Sequence, residues 1–186
     1  EYYTSQALMD LYREHPDDVR ISFTTIHTIN GELQYRGTSP QYFINKFNWQ
    51  EGIANLSSPI YIRLAEMYLN RAEAYAKLNQ PEKAIEDVNI IRKRAGLSGN
   101  ALYTVQDLKG RASVLHVVLE ERRLELAYEG HRPGDLFRNN LGLVRAYPGL
   151  HGTDNYNHRI EPTDNRIIFY IPEREINVNR NLVQNP

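Results

Sequence analysis

Cysteine is absent from all 186 residues. That removes disulfides, thiolate metal ligands and a cysteine nucleophile together, and it fixes no compartment, because a thiol-free chain suits either redox state. An excess of one charge is also missing. Lys and Arg number 22 against 23 Asp and Glu, a net charge of -1, so no overall field draws in nucleic acid or an anionic membrane. No apolar run approaches the ~18 residues a membrane-crossing helix needs, and no basic-then-apolar leader stands at the start. The chain holds no Walker loop, dinucleotide fingerprint, H-E-x-x-H or G-x-S-x-G. No basic strip interleaved with aromatics suggests single-stranded nucleic acid.

What is present reads as mainly helical. Ala7, Leu8, Leu11 and Tyr12 form a short amphipathic pattern ending near His15-Pro16, since a residue before proline avoids the helical region. Two runs rich in β-branched and aromatic residues, 21–29 and 32–37, flank Asn30-Gly31, the pair that suits a type I′ hairpin turn. Residues 38–56 read as irregular and dotted with aromatics. Ser58-Pro59 looks like the cap and first turn of a helix, with Ile60, Leu64, Tyr68, Ala72 and Tyr75 as its inward stripe. Asn79-Gln80-Pro81 opens a second helix with Ala84, Ile85, Val88 and Ile91 inside, and Gly96 stands where a left-handed cap residue belongs.

So short a connection makes the two helices antiparallel. Ala72, Tyr75, Pro81 and Ala84 fit one tetratricopeptide-like unit, with Val88 where an aromatic is usual. A third helix is expected from Thr104, with Asp107 in a capping box, through Leu108, Ala112, Leu115, Leu119 and Leu126 to Gly130. Residues 141–165 read as a long loop, RIIFYIP (166–172) as a short buried strand, and 172–176 as one helical turn. The expected fold is therefore mainly α: a tetratricopeptide-like helical hairpin plus further helices, with a small β-hairpin and a short C-terminal strand. One domain is expected over 1–186, divided into a lead-in helix, hairpin and loops (1–56), a helical core (57–140), and a loop and tail (141–186).

The densest charged segment runs from Glu120 through Arg122, Glu125 and Glu129 to Arg132 and Asp135. Paired carboxylates serve glycosidases, but Glu121, Glu125 and Glu129 are four apart and form one helical ridge, which demands answering cations. Arg63, Arg71, Arg92, Arg94, Arg122 and Arg132 are the candidates, so the cluster reads as scaffold and no catalytic residue is assigned. His151, Asp154 and His158 share the polar loop and have metal-ligand chemistry, yet such trios arise by chance in loops, so no metal and no cofactor are expected. With 13 Tyr, 5 Phe and 1 Trp in a chain of mean hydropathy -0.59, aromatics must reach the surface. Trp49, Tyr42, Tyr147 and Tyr156 fall in apparent loops, where such rings either stack on sugars or plug the loops onto the core.

Four blocks carry a family likeness. YIRLAEMYLNRAEAYAKL (61–78), AIEDVNIIRKRAGL (84–97), EERRLELAYEGHRPGDLFR (120–138) and IPEREINVNRNLVQNP (171–186), in that order, resemble the carboxy-terminal part of the SusD/RagB family. Asp18-Val19-Arg20 and the hairpin resemble what precedes those helices. Pro133-Gly134 departs from the family, replacing an aromatic pair. The resemblance implies a non-catalytic, surface-exposed lipoprotein of the Bacteroidetes outer membrane that binds oligosaccharide or another nutrient. It implies a SusC-like TonB-dependent transporter as partner, no nucleic acid, and contact with the membrane only through a lipid anchor absent from these residues. It also implies that the chain is part of a longer one. A tetratricopeptide-type scaffold that binds peptides is the alternative, and a glycosidase using the Glu cluster ranks third.

Overall fold

The computed structural model describes residues 4–36, 39–47, 49–54, 56–58, 60–145 and 159–186, excluding the side chains of Arg36, Ser39, Trp49 and Ala54. Its first helix, α1 (Gln6–Arg13), turns Leu8, Met9 and Tyr12 inward. A 3-10 turn over Val19–Phe23 follows, opened by the Asp18 carboxylate, which accepts from the Arg20 backbone N–H. Asn30 and Gly31 both have positive φ, 52° and 83°, and the hairpin they support joins β2 (Thr28–Ile29) to β3 (Glu32–Leu33). That hairpin is shorter than the sequence suggests. β1 (Thr24–Ile26) pairs with β6 (Tyr42–Ile44), and β4 (Tyr35–Arg36) pairs with β5 (Ser39–Pro40).

His27, Gln34 and Gln41 join these three pairings. Their backbones close a ring of hydrogen bonds, His27 N–H to Gln41 O at 3.0 Å, Gln41 N–H to Gln34 O at 3.0 Å and Gln34 N–H to His27 O at 2.9 Å. The chain is drawn into this arrangement because Tyr42 is anchored under α1. Thr4 N–H donates to its carbonyl at 2.8 Å, and Arg13 reaches its hydroxyl. The described residues between 39 and 54 thus include four short paired strands rather than irregular chain alone, the last pair being β7 (Trp49–Gln50) against β8 (Ile53–Ala54).

The helical core has the expected members with different starts. Helix α2 (Leu64–Lys77) begins later than Ser58-Pro59 predicts, because Arg63 is held extended at φ -143° and ψ 152° by glutamates described below. Helix α3 (Pro81–Arg94) has its proline in the first turn, where the missing N–H costs nothing. Gly96, at φ +88°, ends it: Leu97 N–H reaches back to Arg92 O and Gly96 N–H to Lys93 O, each at 3.0 Å. Thr104 and Asp107 close a turn of their own, so α4 starts only at Val114 and ends at Glu125, capped by the Ser113 hydroxyl accepting from His116 N–H. Leu69, Ala72, Val88, Ile91, Val117 and Val118 form one buried cluster. Leu8, Met9, Tyr12, Tyr42 and Leu124 form a second, with the Tyr12 hydroxyl donating to Leu124 O at 2.9 Å. α4 contributes to both.

The described residues divide into two compact units, the first ending at Arg132. α5 (His131–Phe137), with Pro133 in its opening turn, leads into the second. There β9 (Leu143–Val144) pairs with β10 (Arg159–Ile160), so the C-terminal strand falls earlier than 166–172. That later stretch is a 3-10 turn, Asn165–Ile167, and then exposed chain, with Phe169 94% exposed. After α6 (Glu173–Val178) the tail returns. The Gln184 amide accepts from Ile171 N–H at 2.8 Å and donates to Ile171 O at 3.0 Å, imitating a neighbouring strand, which explains what the QNP ending does.

Gly96 offers a local test. A Cβ there would lie 3.2 Å from Asp17 O and 3.3 Å from a Val19 methyl carbon, on a backbone that disfavours L side chains by ~1–2 kcal/mol. Gly96→Ala is expected to lower unfolding free energy in urea by at least that amount with an unchanged m-value. An unaltered midpoint would contradict the cap.

Candidate functional site

The Glu ridge emerges at the C-terminal end of α4. Glu121 and Glu125 are fully buried and Glu129 follows just beyond the helix. Arg20, also fully buried, donates to Glu121 at 2.6 Å and to Glu125 at 3.4 Å, while Asp18 holds its other edge at 2.7–3.2 Å. Arg92 donates to the second Glu121 oxygen at 2.9 Å and to Ala101 O at 2.7 and 2.9 Å. Arg63 bonds Glu125 and forks onto Glu129 at 2.8–3.1 Å. Arg94 reaches Glu125 from α3.

Lys46 completes the set. Its ammonium donates to Glu125 O at 2.8 Å, Ala127 O at 3.0 Å and the Glu129 carboxylate, and lies 4.5 Å from the Phe23 ring centre. Lys46 and Arg63 therefore satisfy carbonyls that the end of α4 leaves open. The cations come from the lead-in turn, the strand segment, the approach to α2, and α3. All but Lys46 and Arg20 are legible as candidates in the sequence. Arg20 was hidden because nothing in its neighbourhood announces a partner a hundred residues away.

The other candidate cations do different work. Arg71 forks onto Asp87 at 2.7 and 2.8 Å. Arg122, buried, donates to Asn70 at 2.5 Å and lies 4.0 Å from Glu73, tying α4 to α2. Arg132 donates to Leu119 O at 3.4 Å.

The electrostatics suit a scaffold. Burial pushes the Glu125 carboxyl up, but hydrogen bonds and charge from Arg63, with the charges of Arg94 and Arg20, hold it below the ordinary range. Glu129 is held down against burial in the same way, by Arg63 and Lys46. Burial lowers the Lys46 ammonium despite Glu129. A general acid needs the opposite displacement, a carboxyl kept protonated near neutral pH. Buried, bonded and ionised, these glutamates are poised to hold the fold.

The four aromatic candidates separate. Tyr42 is 5% exposed, with the Arg13 guanidinium 5.4 Å from its ring centre, so it packs a strand onto α1 rather than standing in a loop. Trp49 lies in β7, one residue from the turn at Glu51-Gly52. Tyr147 and Tyr156 lie outside the described residues, as do His151, Asp154 and His158. Among the described residues no group of three or more His, Asp or Glu is placed to hold a metal ion. Other exposed rings include Tyr35 in β4, within the run expected as the second hairpin strand, and Tyr61 ahead of α2, in a stretch expected as helix.

The model of the SusD family matches residues 12–186. Two SusD-like proteins of Formosa agariphila are each 35% identical over 129 residues, covering 68% and 67% of this chain and 24% and 23% of the relatives. The chain thus spans about a quarter of the length of these curated relatives. Among solved structures, a SusD superfamily protein from Bacteroides thetaiotaomicron is 30% identical with a TM-score of 0.78, over 98% of this chain and 40% of that one. A candidate sugar-binding protein from Bacteroides vulgatus is 29% identical with a TM-score of 0.76, over 99% and 39%.

The charge cluster makes two predictions. Arg20→Ala takes a charged partner from three buried carboxylates, Asp18, Glu121 and Glu125, and removing one partner of such a set costs ~3–5 kcal/mol; a urea midpoint within error of the parent protein's would contradict the assignment. Glu125 and Glu129 titrate lower in the folded than in the unfolded chain, so their stabilisation is complete above the ordinary glutamate value of 4.5. It drains as pH falls through their folded values. Tm is expected to drop on acidification below 4.5, and to drop less steeply in Glu129→Gln when followed by circular dichroism.

Proposed function

Because the chain belongs to the SusD family, we propose that it is the carboxy-terminal part of a cell-surface protein that captures oligosaccharide or another nutrient unaltered. The nutrient passes to a SusC-like TonB-dependent transporter in the outer membrane, and a lipid on an upstream cysteine holds the protein there. The family match over residues 12–186 carries this reading, and the likeness to a candidate sugar-binding protein supports it. The charge cluster is consistent with binding without chemistry, since its glutamates are spent on arginines and Lys46. No helix among the described residues is long and apolar enough to cross a membrane.

Ligand contact is assigned to Trp49, Tyr147 and Tyr156. Trp49 stands beside a tight turn, and Tyr147 and Tyr156 belong to the segment between β9 and β10; such rings offer an apolar face to sugar C–H groups and a polar edge to hydroxyls. Tyr42, buried, instead fixes its strand against α1. A peptide-binding tetratricopeptide scaffold fits less well. Among the described residues one such pair, α2–α3, is present, and α4 packs against both of its helices, filling one side of any groove.

Calorimetry with a panel of polysaccharides, on this chain and on the full-length polypeptide, tests the reading. Binding of at least one glycan without release of shorter saccharides is expected. Trp49→Ala is expected to weaken it about tenfold, ~1.4 kcal/mol, at unchanged Tm. Hydrolysis products, or binding of extended peptides and no glycan, would overturn it.

A further inference from the structure

Asn30-Gly31, the tip of the β2–β3 hairpin, has a reactivity that nutrient binding does not use. It is the one place in the chain where Gly follows Asn. A glycine nitrogen has no neighbouring Cβ to screen it, so it is the main-chain nucleophile best able to attack a preceding Asn side chain. Both residues are exposed, and a Cβ on Gly31 would meet nothing within 4 Å. Among the described residues neither the Asn30 side-chain amide nor the Gly31 N–H has a hydrogen-bond partner.

The folded turn holds this reactivity back. Asn30 has φ 52°, in the left-handed region that a type I′ turn demands. There its side chain and the Gly31 nitrogen lie nearly anti about the Cα–C bond, whereas a five-membered ring closes only when they are eclipsed. Asn30 must therefore leave the turn before it reacts, and little prevents that. The arm consists of Thr28 paired with Leu33 and Ile29 with Glu32, and of these four only Leu33 is even half-buried. A two-stranded ribbon without a buried apolar face is marginally stable, and exposed main-chain bonds with few buried contacts mark a segment that opens by itself. The base of the arm is firmer. His27 and Gln41 are joined by main-chain and side-chain bonds at 3.0 and 2.9 Å, and the His27 ring centre lies 4.2 Å from that of Phe43.

We propose that Asn30 is a deamidation site gated by opening of the β2–β3 arm. In the open arm the Gly31 nitrogen bonds to the Asn30 side-chain carbonyl carbon. The bond from that carbon to the amide nitrogen breaks, and ammonia leaves with the Gly31 proton. Water then opens the cyclic imide at either carbonyl, giving Asp or isoaspartate, with nothing oxidised or reduced. Isoaspartate routes the main chain through the former side chain and lengthens the turn by one carbon, so it cannot restore the pairing of Ile29 with Glu32. Either product adds a negative charge close to Glu32.

Timed incubation of the chain at mildly alkaline pH, followed by peptide-mapping mass spectrometry, tests the site beside a synthetic peptide of residues 26–34, which has no firm base. Asn30 is expected to convert, and ~10-fold more slowly in the chain than in the peptide, the factor that ~1.4 kcal/mol of arm closure supplies. Leu33→Gly weakens the arm without touching the reacting pair, and is expected to speed conversion toward the peptide's rate while the Tm of the chain is unchanged. Asn30 intact in the chain and in Leu33→Gly, over a time that converts the peptide, would overturn the site. A rate in the chain equal to the peptide's, or one unmoved by Leu33→Gly, would overturn the gate. No readout involves a nutrient, so the result is independent of the nutrient-binding reading.

Discussion

The constraint on which the first unit depends is the row of carboxylates on one side of α4 and its exit. Glu121, Glu125 and Glu129 would repel one another on an isolated helix. In the fold they are answered by Arg20, Lys46, Arg63, Arg92 and Arg94, drawn from segments that meet only when the tertiary structure is complete. The same helix gives Val117 and Val118 to one apolar cluster and Leu124 to the other. Charge and hydrophobic burial therefore select the same placement of α1, α2 and α3 around α4. Buried ion pairs add little net stability compared with apolar substitutes; their contribution here is to make misplacement of any one segment costly.

Much of the helical core was legible because its signals are local. Pro81 and Gly96 punctuate α3 at the positions their backbone preferences require, and the Ala72, Val88 and Ile91 spacing belongs to faces that are indeed buried. The errors occur where distant partners override local preference. Ser58-Pro59 is a sound helix opening by composition, yet Arg63 is stretched across to Glu125 and Glu129, and α2 waits for Leu64. Thr104 and Asp107 have capping-box spacing, but they bond each other in a separate turn, while Asn89 fixes Tyr103 to α3 at 2.8 and 3.0 Å. The ring of His27, Gln34 and Gln41 has no sequence signature, since the three bonds that close it are main-chain. RIIFYIP has strand composition, but the Gln184 and Asn185 side chains take the hydrogen bonds a neighbouring strand would have made.

The candidate site was legible in its charges and less so in its aromatics. Helical spacing alone exposes the Glu ridge and demands cations, whereas Tyr42 looks like a loop residue until β1 and β6 are seen to pair beneath α1. This division has a functional meaning. The residues most constrained by the fold are occupied with one another, and recognition by rings on turns and connecting segments, as proposed above, would leave α4 undisturbed. A family that presents different nutrients on one framework would need that separation between a fixed charge cluster and adjustable surface rings.

A double-mutant cycle between Arg20 and Glu121 tests the central claim most directly. Arg20→Met, Glu121→Leu and the double variant are unfolded in urea beside the parent protein. Asp18 loses Arg20, and Arg92 loses Glu121, equally in a single variant and in the double one, so the cycle isolates the Arg20–Glu121 contact; if α4 is organised through this pair, the coupling energy is ~2 kcal/mol or more. Additivity within ~0.5 kcal/mol would show that the two residues are merely neighbours, and would contradict the account.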